Sequence, residues 1–160
     1  MEDVSRKKII ETAKQYLGFP SSNYNKDVEN NGADERGFTC SGFVRFILEK
    51  SGVRIPKNIR HAREFFDYFG VLVHEDKKKP GDLVFFSRYG TYPNHVGIVI
   101  SDDEYIFSSG MRKGSVVIKK IKGTYRTKKN ASAHETIYTK NPIGFKRIAY
   151  PKGNYQYVLK

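Results

Sequence analysis

The chain has 160 residues, which suits one domain at the usual ~100–200 residues per domain. Its 29 Lys and Arg against 17 Asp and Glu give a formal net charge of +12, while 38% apolar residues and 22 aromatics (11 Tyr, 11 Phe) exclude a disordered basic tail. The single cysteine excludes an internal disulfide and a cysteine-built zinc cluster, and no apolar run approaches the roughly 18 residues that span a bilayer.

The first ten residues lack the apolar core of a secretory signal. Three readings follow: a cytosolic protein, export by another route, or a leader already removed. Asp3 is the expected cap of a first helix, whose apolar positions Ile9, Ile10, Ala13, Tyr16 and Leu17 recur at spacings of three and four. Gly18 and Pro20 stop it. Residues 20–38 are rich in Ser, Asn, Asp and Gly without a period and read as a long, functional loop. Phe43, Val44, Ile47 and Leu48 make a second helical stripe closed by Gly52. Asn58 is the expected cap of a third, carrying Ile59, Ala62, Phe65, Phe66 and Phe69 and ending at Gly70.

Strand patterns follow. Pro80-Gly81-Asp82 is a turn before Leu83–Phe86, and His95–Ile100 is rich in β-branched residues. Asp102-Asp103 turns into Tyr105-Ile106-Phe107, Ser115–Ile121 alternates, and Ile143–Ile148 returns after a polar, basic excursion over 122–142. Helices first and antiparallel strands afterwards predict a single α+β domain over 1–160.

Charge is unevenly placed along it. Residues 1–110 hold 16 basic and 16 acidic side chains, whereas 111–160 hold 13 basic ones and the single acid Glu135. This reads as a solvated face or as attraction to an anionic polymer, and charge alone does not choose.

Cys40 lies where the long loop meets the second helix. A helix N-terminus offers unpaired N–H groups and a positive dipole end, which favour thiolate and stand ready for an oxyanion. The other reading is a buried structural cysteine. His95 opens a strand 55 residues later, where imidazole suits a general base; the other reading is an ordinary strand-edge histidine. Gly97 in mid-strand and Gly42 on the helix's first turn imply close packing against each. His61, His74, His95 and His134 lack the spacing of a catalytic zinc site, so no metal and no cofactor is expected.

Phe38-Thr39-Cys40-Ser41-Gly42-Phe43-Val44, Pro80–Phe86 and His95-Val96-Gly97-Ile98 occur in this order. Together they resemble the NlpC-type family of bacterial cell-wall cysteine peptidases. Ala13–Pro20 and Ile143–Ile148 resemble that family's first helix and closing strand, so the likeness spans about 9–148.

The resemblance implies a papain-like NlpC-type fold, α+β, with N-terminal helices packed on a central antiparallel β-sheet. It implies Cys40 as nucleophile and His95 as base in a peptidoglycan hydrolase. The bond would be a stem-peptide amide, D-γ-glutamyl to a diamino acid, cleaved through an acyl-thioester. Peptidoglycan would be the partner, met outside the cytoplasm in the periplasm, cell wall or secreted milieu. An immunity or inhibitor protein would accompany an effector role; a phage lysin or a wall-remodelling enzyme fits equally.

Where the family usually has Asp before the nucleophile this chain has Thr39. The family's third catalytic position, usually His, falls on Phe107, which accepts no hydrogen bond from imidazole. Ser108 or Ser109 is then the candidate third, orienting group after a register change; a Cys–His dyad oriented by a backbone carbonyl or water is favoured. His134 is a more distant candidate. Ser41 and Tyr24 are the expected substrate-binding or oxyanion residues. The alternative is a weak or inactive NlpC-type domain that binds an anionic polymer: cell wall, or with less support nucleic acid through Arg112–Lys129.

Overall fold

The computed structural model describes residues 5–22, 33–34, 37–87, 92–109, 114–122, 142–152 and 155–158. The first helix, α1 (Arg6–Lys14), is capped by Ser5, whose side chain accepts from the Lys8 N–H at 3.0 Å. The expected cap Asp3 lies outside the described residues. Ile9, Ala13 and Tyr16 are buried as the spacing predicts, whereas Leu17, past the helix end, is exposed.

The described parts of 20–38, residues 20–22, 33–34 and 37–38, carry more pairing than a loop. Two short strands, β1 (Ala33–Asp34) and β2 (Gly37–Phe38), form a hairpin, and Ser21 bridges to Phe38. The second helix, α2 (Cys40–Lys50), begins at the cysteine and buries Phe43, Val44, Ile47 and Leu48. The third, α3 (Ala62–Tyr68), starts three residues later than a cap at Asn58 would place it. Arg45 explains the difference. Its guanidinium donates to the carbonyls of Ile55, Pro56 and Ile59 at 2.6–3.1 Å, which fixes the preceding segment as turns. Ile59 is buried all the same. His61 caps the helix, and Glu64 reaches back to its N–H at 2.9 Å, completing a capping box.

The remaining strands are β3 (Val71–Val73), β4 (Leu83–Phe86), β5 (His95–Val99), β6 (Glu104–Ser108), β7 (Val116–Lys120) and β8 (Gly144–Arg147). They form one antiparallel sheet in the order β3-β8-β4-β5-β6-β7. Strand β3 escapes the sequence pattern because it is a three-residue edge strand with two exposed side chains. It is joined to β8 through Gly70, whose φ of +75° and 2.4 Å separation between a notional Cβ and the Arg147 carbonyl oxygen allow no side chain. A final hairpin of β9 (Ala149–Lys152) and β10 (Tyr155–Val158) was not expected.

Strand alternation divides the core. Leu83, Phe85, Val96, Ile98, Ile106 and Val116 face the helices and join their buried side chains. Val84, Phe86, Val99, Tyr105, Phe107 and Phe145 build a second cluster on the opposite face. The observed α+β architecture, helices packed on a central antiparallel sheet, is the one expected.

One polar anchor ties the layers together. Asp82, fully buried in the turn before β4, takes Arg6 from α1 at 3.1 Å and Arg147 from β8 at 3.0 Å. The Lys79 N–H donates to the same carboxylate at 2.7 Å. Within the basic last third, Lys120 and Lys122 pair with Asp103 and Glu75, so part of that charge is locally neutralised. Half of the Arg112–Lys129 tract, including Arg112 and the residues after Lys122, lies outside the described residues.

No described helix is long and apolar enough to cross a membrane.

Candidate active site

Thr39 makes the N-cap of α2: its Oγ1 accepts from the Gly42 N–H at 3.0 Å. Thr39 therefore serves here to start the helix. Cys40 follows as the first helical residue, so its sulfur meets the unpaired N–H groups of the first turn.

A serine network fixes the approach to that cysteine. Ser108 Oγ donates to the Phe38 carbonyl at 2.7 Å and lies 2.7 Å from Ser21 Oγ; Ser109 Oγ is 3.0 Å from the same Ser21 hydroxyl. With the Ser108 proton committed to Phe38, Ser21 donates to Ser108 and Ser109 donates to Ser21. This corrects the expectation that Ser108 orients the imidazole. Its parity in β6 puts it on the helix side, with its hydroxyl held by Phe38 and Ser21, away from the His95 ring.

The thiol meets strand β5 at its first residues. Cys40 Sγ lies 3.9 Å from the Asn94 carbonyl oxygen, and the Val96 N–H points toward the sulfur. The backbone groups on both sides of His95 thus contact the nucleophile candidate. The β5–β6 register runs through Ile98↔Ile106 and Val99↔Tyr105, so the sulfur stands beside β5 beyond those pairs.

Burial pushes the Cys40 thiol pKa up, and the N–H groups of Val96, Ser41 and Cys40 pull it down by less. The expected depression at a helix start is therefore present but outweighed by desolvation. Burial alone holds the His95 pKa well below its ordinary value. Around neutral pH both groups are uncharged. Neither shift gives a standing thiolate–imidazolium pair: the sulfur is held by backbone groups, and the imidazole is enclosed by aromatic rings.

The His95 ring is 1% exposed and packed by aromatics. Phe107 meets it edge-on with centroids 5.0 Å apart, as the count from the sequence requires, and Phe86 lies at 5.7 Å. The sequence reading overlooked Tyr105. Its hydroxyl is 3.4 Å from His95 Nε2, and its ring stacks on Phe107 at 4.5 Å. A signal for it existed in Gly97. A Cβ there would stand 2.4 Å from Tyr105 Cδ2 and 3.0 Å from the Ile106 carbonyl oxygen, so the glycine makes room for the tyrosine.

Ser41 is buried in the first turn and its N–H faces the sulfur. Tyr24 and His134 lie outside the described residues. No cluster of three or more His, Cys, Asp or Glu that would hold a metal exists among the described residues.

The NlpC/P60 family model matches residues 28–141. A gamma-DL-glutamyl hydrolase of Bacillus subtilis (strain 168) is 27% identical over 126 residues, covering 77% of this chain and 28% of that protein. An NlpC/P60 family protein from Bacillus cereus ATCC 10987 matches in structure with a TM-score of 0.66 at 27% identity, covering 92% of this chain and 41% of that one. The NlpC/p60 domain of the peptidoglycan hydrolase SagA matches with a TM-score of 0.57 at 28% identity, covering 74% of this chain and 91% of that domain. The chain thus spans little more than a quarter of the curated relative's length. With most of its residues inside one family model, and with the cysteine-led helix and the histidine-led strand in place, the chain belongs to the NlpC/P60 family.

Proposed function

We propose that the chain is a cysteine hydrolase of peptidoglycan, with Cys40 as nucleophile and His95 as general base. The observation that carries this reading is the thiol at the start of α2, set against the Asn94 carbonyl and the Val96 N–H on either side of His95. Kinship to a peptidoglycan hydrolase and to a glutamyl hydrolase supports the substrate class. A stem-peptide amide between D-γ-glutamyl and a diamino acid is the bond assigned, at a wall met outside the cytoplasm.

The imidazole takes the thiol proton as the sulfur attacks the carbonyl carbon. Backbone N–H groups at Cys40 and Ser41 face the oxyanion that forms. Collapse breaks the C–N bond, and the imidazolium gives its proton to the departing amine. Water, deprotonated by His95, then attacks the thioester carbonyl and releases the acid and the free thiol.

A second reading, a wall-binding domain with little turnover, is favoured by the raised thiol pKa and by Phe107 at the family's third position. Digestion of a defined stem peptide, with mass spectrometry of the products, separates the two. The proposal expects a new carboxyl at γ-glutamyl and a new diamino-acid amine, both lost in Cys40→Ala. An intact peptide, or equal cleavage by the variant, contradicts it.

A further inference from the structure

We propose that Tyr105 is the positioning residue for His95, its hydroxyl accepting the Nε2–H and so leaving Nδ1 as the basic nitrogen of the imidazole. The inference rests on the Cys40–His95 reading and supplies what Phe107 cannot. Three observations meet here. The Tyr105 hydroxyl is 3.4 Å from His95 Nε2. The tyrosine belongs to the register position opposite Val99, yet its ring lies over Gly97 and its hydroxyl reaches residue 95. Phe107 meets the imidazole edge-on and stacks on the tyrosine, closing the ring in from the side.

The chemistry follows from tautomers. Imidazole that accepts a thiol proton at one nitrogen must carry hydrogen at the other. A hydroxyl that accepts from Nε2 holds the Nε2–H tautomer, and it stabilises the imidazolium when that forms. A phenol does this less strongly than a carboxylate, and a 3.4 Å contact has room to tighten once substrate binds. Orientation therefore comes from a side chain two residues before the family's position on the same strand, made possible by the absent side chain at Gly97.

Two variants and two measurements test this. Tyr105→Phe keeps the ring, the stacking and the cavity volume while removing only the hydroxyl. On the defined stem peptide, kcat is expected to fall about 10–100-fold with KM unchanged, the loss of one hydrogen bond to a group that becomes charged. Adding Phe107→His restores an acceptor beside the imidazole and is expected to recover most of that loss. Independently of turnover, nitrogen-15 NMR of His95 is expected to report the Nε2–H tautomer in the wild type and a mixture in Tyr105→Phe. Unchanged kcat together with an unchanged tautomer overturns the assignment. If the wild type cleaves nothing, the hydrolase reading fails, and the tautomer alone decides whether Tyr105 positions His95.

Discussion

Tyr105 occupies the space that a side chain on residue 97 would need, with a Cβ there standing 2.4 Å from its Cδ2 and 2.8 Å from its Cε2. Neither neighbour yields easily, because the ring is wholly buried and stacked on Phe107. Gly97→Ala is expected to destabilise the fold by about 1–3 kcal/mol, the usual cost of overpacking a filled core. It should also displace the hydroxyl from His95. Chemical denaturation reads the first effect, and a stability equal to wild type contradicts it.

The Asp82 carboxylate is a structural anchor rather than part of the chemistry. Removing it leaves Arg6 and Arg147 facing each other's charge at a buried site. Asp82→Ala is expected to cost about 3–5 kcal/mol of unfolding free energy, as for other broken buried pairs. Urea titration followed by circular dichroism checks this. A loss below about 1 kcal/mol, the scale of an exposed ion pair, contradicts it.

Much of this was legible in the sequence, for identifiable reasons. The cysteine-led helix and the histidine-led strand carry apolar patterns that only one local structure satisfies, and they stand at Cys40–Lys50 and His95–Val99. Strand β3 was not legible, since its side chains lie at an exposed edge and its partner β8 lies more than seventy residues away. The start of α3 was misplaced because the guanidinium of Arg45, distant in sequence, decides where the backbone turns. At the site, counting along β6 placed Phe107 beside His95 correctly but missed Tyr105, which reaches the imidazole diagonally across a glycine. Such a contact depends on ring direction, which spacing does not encode.

Thiol reactivity follows from the balance at Cys40. Desolvation raises its pKa above the ordinary range, so little thiolate is present at neutral pH. Iodoacetamide is expected to react more slowly than with a free thiol at pH 7.5, with a rate that keeps rising beyond pH 8.5. A plateau already reached near pH 6 would indicate a standing ion pair and contradict the neutral resting state.

His95 makes stability pH-dependent. Its folded pKa is held well below the ordinary 6.5, so between the two values the unfolded chain binds a proton that the native state does not. Stability therefore falls as pH drops below about 6.5 and levels off beneath the folded pKa. Melting temperatures for wild type and His95→Gln should diverge in their pH slopes there, with the variant shallower. Parallel slopes would show that the imidazole does not carry the effect.

The central claim is that a thiol at residue 40 and an imidazole at residue 95 act as one catalytic unit. Its most direct measurement is the release of soluble fragments from purified sacculi by wild type, Cys40→Ala and His95→Ala, each first verified as folded. The account predicts release by the wild type and, for both variants, a loss of at least about a thousandfold, with the double variant no worse than either single one. Fragment release that survives either substitution, or losses that multiply in the double variant, would contradict it.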